Sequence, residues 1–131
     1  MDELVRWLGV QLDEDERIAR AVPADLGHSW SDPGPWVMAG NGGGGREAEV
    51  AKAADGLDTQ LAEHVAHHIA YHDPARVLRE VAAKRQIIER CTRVQGLLLD
   101  DFSAERLVDD VLALLALAYA GRPGYREEWR P

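Results

Sequence analysis

Apolar residues recur at helical spacing in four stretches of the chain, and a proline- and glycine-rich segment interrupts them. In residues 2–22, Leu4, Leu8, Leu12, Ala19 and Val22 fall on one stripe, with Trp7 on its flank. Asp13 with Arg17, and Glu16 with Arg20, add acid-to-base pairs one turn apart in the favourable order. Pro23 ends this helix. Residues 58–72 show a second periodic stretch, in which Leu61, Val65, His68 and His72 share a stripe and Ile69 lies beside it. That spacing predicts His68 and His72 buried on the core side, with His67 exposed. The preceding "REAEVAKAADGLDTQ" reads as a weak helical start broken at Gly56.

Asp73-Pro74 marks a boundary. The residue before a proline avoids helical backbone, Asp is a good N-cap, and Pro suits the first helical position. A third helix therefore runs over residues 74–95, with Val77, Leu78, Val81, Ile88 and Cys91 inward, and Gly96 stops it. Ser103 caps a fourth helix over residues 103–120, and residues 121–131 form a tail. The ten apolar residues Val111 to Ala120 are too few to span a bilayer and read as a buried helix.

Residues 23–57 stand apart. "PADLGHSWSDPGPWVMAGNGGGGR" has room for a short hairpin near "HSW" and "WVM", with Trp30 and Trp36 pinning the loop onto the helices. The run "GNGGGGR" lacks the Gly-Lys-Ser/Thr ending of a phosphate loop and has no hydrophobic strand before it, so it reads as a flexible surface loop. The pattern thus predicts a mainly α, single-domain fold over residues 1–131. It consists of about four helices in a small bundle, one long ornamented loop, and no sheet of more than two short strands.

Charge narrows the partners. The net charge is −8, which argues against direct binding to nucleic-acid phosphates or to an anionic membrane surface. Residues 74–95 are the exception, with six bases against two acids. Arg76, Arg79, Arg90 and Arg93 fall within about 100° of each other on a helical wheel. The acidic stretch around Asp100, Asp101, Asp109 and Asp110 is their nearest partner in sequence. The start "MDELVRWLGVQLDEDER" has neither a basic opening nor an apolar run, and Cys91 is the only cysteine. Both features fit a cytoplasmic protein without disulfides.

The densest candidate chemistry is "HVAHHIAYHDPARVLRE", residues 64–80. His68 and His72 lie one turn apart, as in His-x-x-x-His metal sites, and Asp73 follows. Ile69, not glutamate, follows His68, so the zinc-protease pattern fails, and no third ligand stands at a diagnostic spacing. The competing reading is two imidazoles at a helix C-terminus, bonded to free carbonyls and favoured by the helix dipole. Cys91 between Arg90 and Arg93 reads as a packed, inert thiol. The tail offers Tyr125, Arg126, Trp129 and Arg130, residue types enriched at interface hot spots, with intramolecular packing as the competing reading.

Three blocks carry a resemblance: "LDEDERIAR" at Leu12 to Arg20, "HHIAYHDPARVLREVAAKRQII", and "LALAYAGRPGYREEWRP". Together the chain resembles a family of small uncharacterised proteins of actinobacteria and their phages, a domain of unknown function. The resemblance covers most of the chain outside residues 30–60. It is carried at His68, His72, Asp73, Pro74, Arg76, Arg79, Tyr125, Trp129 and Pro131. It departs at Arg122-Pro123-Gly124-Tyr125, where a His-Pro-Asp-Tyr-like step is expected; a tail histidine that could complete a metal site is missing. The resemblance implies a non-secreted protein and no particular activity.

No complete catalytic constellation is present. The leading expectation is a small acidic helical binding or regulatory module. It acts through protein–protein contacts with an unknown partner or a copy of itself and needs no cofactor. Arg76, Arg79, Tyr125, Arg126, Trp129 and Arg130 are its candidate contacts. The alternative is a zinc- or iron-binding module using His68, His72 and Asp73, with catalysis as an extension. An acidic phage-type mimic, resting on net charge, is the third reading.

Overall fold

The structure is a computed structural model, described here for residues 1–40, 48–52, 57–97 and 102–131. It is mainly helical. Helix α1 spans Asp2–Ala21, α2 Thr59–Tyr71, α3 Pro74–Gln95 and α4 Phe102–Leu117, and a 3₁₀ turn covers Glu127–Trp129. The start of α3 falls at Pro74, as the Asp-Pro step requires, and Asp58 caps α2 by accepting from the Leu61 N–H at 2.9 Å. Among the described residues no helix is long and apolar enough to cross a membrane.

The long loop holds more structure than its composition suggests. Strands β1 (Trp30–Ser31), β2 (Trp36–Ala39) and β3 (Ala48–Lys52) form an antiparallel sheet in the order β1-β2-β3. The expected hairpin is present, with Trp30 opposite Ala39 and Ser31 opposite Met38. A third strand corrects the limit of two. "AEVAK", read as a weak helical start, is instead β3, paired to β2 with an irregularity between Val37 and Met38. Ladder pairing overrides the modest helix propensity of these residues, because strand preference depends on what lies alongside. Of the glycine run expected to be mobile, residues 41–45 lie outside the described residues.

The described residues divide into two compact units. One comprises Met1–Glu14 and Val81–Pro131. Its core takes Leu4, Leu8 and Leu12 from α1, Val81 from α3, Val108, Leu112, Ala113 and Ala116 from α4, and Tyr119 beyond it. The other comprises Asp15–Glu80. There α2 lies on the sheet. Val37, Ala66 and Ala70 form the buried centre, with Trp30, Val50, Ala51 and Ile69 packed around it.

That packing corrects the wheel phase of α2. The buried stripe is Ala62, Ala66 and Ala70, whereas Leu61 and Val65 are exposed. Alanines let the helix approach the sheet closely, where Leu or Val would hold it off. The larger apolar residues were the misleading signal, since a lone exposed Leu or Val is ordinary on a protein surface.

Candidate binding cleft

The turn from α2 to α3 is built by Asp73. One carboxylate oxygen accepts from the Arg76 N–H at 2.8 Å and caps α3, and the other accepts from the Trp30 N–H at 3.0 Å. The Ala75 N–H adds a 3.0 Å bond to the His28 carbonyl, and His28 Nε2 donates to the Val22 carbonyl at 2.7 Å. Residues far apart in sequence are thus fastened at one corner: the entry to β1, the end of α2 and the first turn of α3.

A cleft of about 430 Å³ opens at this corner, lined by Trp30, Ala70, Tyr71, Asp73, Arg76 and Arg79. Its walls are aromatic. The Trp30 indole N–H is already bonded to the Gly27 carbonyl at 3.2 Å, and Tyr71 is 63 % exposed. Arg76 lies over the Tyr71 ring, 5.0 Å from its centroid, and donates to the Tyr71 carbonyl at 3.2 Å and to Glu80 at 2.8 Å. Arg79 follows Arg76 by three positions and so projects from the same side of α3. It is exposed and has no hydrogen bond or ion pair among the described residues. The cleft therefore offers one engaged guanidinium, one free guanidinium and two apolar ring faces. Arg76 and Arg79 were legible as candidates from their charge. Trp30 and Tyr71 were missed as site residues, since only the fold brings them to these arginines.

The histidines behave otherwise. His68 and His72 are both exposed, which corrects the expectation of burial; the true core stripe lies one residue round the helix. Their ring centroids lie 4.4 Å apart with the planes tilted by 40°. His72 Nδ1 donates to the His68 carbonyl at 2.7 Å, closing the C-terminus of α2 as the helix-end reading expected. His67 is exposed, as expected, and meets Asp32 at 3.0 Å. Asp73, the third metal candidate, has both oxygens engaged by backbone N–H groups. Among the described residues no group of three or more His, Cys, Asp and Glu is placed to hold a metal ion.

In the other unit, the tail residues turn onto Trp7. Tyr125 and Trp129 stand 5.7 and 5.4 Å from it, ring to ring, and the Trp7 indole N–H donates to the Pro123 carbonyl at 3.1 Å. Arg126 pairs with Glu3 and lies over Trp129, and Arg130 pairs with Glu127 at 3.0 Å. Both aromatic candidates are half-buried in this clasp. Two of the four arginines of the α3 face pair within their own helix. Arg76 takes Glu80 and Arg93 takes Glu89, while Asp109 of the acidic stretch accepts from Gln95. Asp100 and Asp101 lie outside the described residues. Burial pushes the Cys91 thiol up from its ordinary value, against any reactive role.

One family model matches residues 1–131, and its description is a family of unknown function, DUF6221. No curated protein and no solved structure matches the chain.

Proposed function

For this chain, which belongs to that family, we propose a binding module that docks a partner protein by an acidic side chain. The cleft at the α2–α3 corner is the docking site. The observation that carries this reading is Arg79, unpaired among the described residues beside the exposed Tyr71 ring. A guanidinium presents a planar fork that a carboxylate fills with two parallel bonds. The ring faces of Trp30 and Tyr71 suit the methylene stem of a glutamate.

Local charge selects the ligand. Glu80 offsets Arg76, and the Asp73 carboxylate keeps its charge while its oxygens are turned to backbone N–H groups. The corner is therefore close to neutral overall, and Arg79 is the one cation of the cleft without a partner among the described residues. A single carboxylate suits that better than a phosphate dianion. The chain's net charge of −8 repels a densely acidic surface at long range, though screening confines this at physiological salt. The fitting partner therefore presents one or two carboxylates among apolar residues. A cytoplasmic setting is part of the reading, supported by the single cysteine. The mimic reading rests on net charge alone and gains no second observation.

Titration with a short capped peptide carrying two glutamates tests this, read by magnetic resonance on isotope-labelled protein. The Trp30 indole N–H and the Tyr71 and Arg79 signals should move. The glutamine version of the peptide should leave them in place, and Arg79→Ala should remove the response. Equal shifts with both peptides, or shifts that persist in Arg79→Ala, would contradict the proposal.

A further inference from the structure

Helix α4 buries one side and leaves the other bare. Val108, Leu112, Ala113 and Ala116 are buried, while Leu107 is 64 % and Leu114 57 % exposed. These two leucines lie two turns apart and so share a stripe. Arg106 and Asp110 sit on the same bare side. Among the described residues neither has a hydrogen bond or an ion pair. Base before acid is the less favourable order for pairing within one helix, which leaves both charges available. Phe102, the first residue of α4, is 86 % exposed.

We infer that this face of α4 is an interface for a second copy of the chain, packed antiparallel about a two-fold axis at the level of Val108. The charge pattern carries the inference, because it is complementary to itself under that operation. Arg106 precedes Val108 by as much as Asp110 follows it. Each Arg106 therefore meets Asp110 of the other copy, twice over. Phe102 and Leu114 are also equidistant from Val108 but about 120° apart round the helix, so they border the contact on opposite flanks. Leu107 lies near the axis and meets its counterpart. An isologous contact needs this kind of self-complementarity, and a surface facing some other protein does not. Two chains of net charge −8 repel each other overall, but this face is locally neutral. Burial of the leucines supplies the driving force, and the two ion pairs set the register. One helix pair buries less area than a standard interface, so the dimer is a weak one.

Sedimentation equilibrium of the full chain across a wide concentration range tests it. The mass should rise with concentration from 14.5 kDa toward twice that value. Leu114→Ser should weaken association. Arg106→Asp and Asp110→Arg, each creating like-charge contacts across the axis, should each weaken it by roughly tenfold or more. The double variant Arg106→Asp/Asp110→Arg should restore it. All these side chains are exposed, so unchanged thermal melting will show that the variants remain folded. A chain that stays monomeric at millimolar concentration would overturn the interface. So would association that ignores both charge reversals, or a double variant no better than the singles.

Discussion

Asp73 shows how one side chain can hold a corner together. It caps α3 and anchors β1, two backbone N–H groups from segments distant in sequence. Asp73→Ala should lower unfolding free energy by about 1–3 kcal/mol, since it loses a cap and leaves the Trp30 N–H without its acceptor. Asp73→Asn keeps one acceptor oxygen and should lose less. Denaturant melts of the three proteins decide this, and an unchanged midpoint for Asp73→Ala would refute the role. The cap was legible from the Asp-Pro step. The bond to Trp30 was not, because nothing local in the sequence relates the two. Tyr125 makes a second case at this scale. Its hydroxyl is buried with no hydrogen-bond partner among the described residues. Tyr125→Phe removes that uncompensated group while keeping the ring against Trp7. It should leave stability unchanged or raise it by up to about 1 kcal/mol. A lowered melting temperature would mean the hydroxyl is bonded after all. Gly124 behind it has φ +83°, and a Cβ there would lie 2.9 Å from Trp7 Nε1. Gly124→Ala should therefore destabilise the clasp by about 1–3 kcal/mol, seen in the same melts.

At the scale of elements, α2 decides whether the sheet is read correctly. If Ala66 faces the sheet, Ala66→Leu forces extra volume into the contact with Val37 and should cost about 1–3 kcal/mol. Leu61→Ala, on the stripe that the larger side chains suggest, should change stability by no more than about 0.5 kcal/mol. The reverse order of effects would restore the other face as the buried one. Periodicity located α1, α2, α3 and α4 well, because a helical stripe and its caps are written in neighbouring residues. It misjudged which stripe of α2 is buried, since that depends on the sheet covering it. It misread β3 for the same reason: five residues of mixed propensity become a strand only alongside β2.

On the scale of the whole molecule, net charge and a single cysteine narrowed the class of protein, and three sequence blocks pointed to its family. The candidate site was only half legible. Arg76 and Arg79 stood out as charges on one face of a helix, but Trp30 reaches them through the sheet and Tyr71 through the turn at Asp73. The histidines drew attention by their density, yet they lie on the exposed side of α2 and close its end. The tail's aromatic residues are turned onto Trp7, so the partner contact is proposed at the cleft and not at the tail. The most direct measurement is quantitative affinity capture from the native host with three baits: the unaltered chain, Arg79→Ala and Trp129→Ala, the variants checked for folding by their melts. The account predicts a partner that binds the unaltered chain and the Trp129→Ala variant alike and is lost from Arg79→Ala, with release by a competing glutamate-bearing peptide. A partner retained by Arg79→Ala and lost from Trp129→Ala would contradict it.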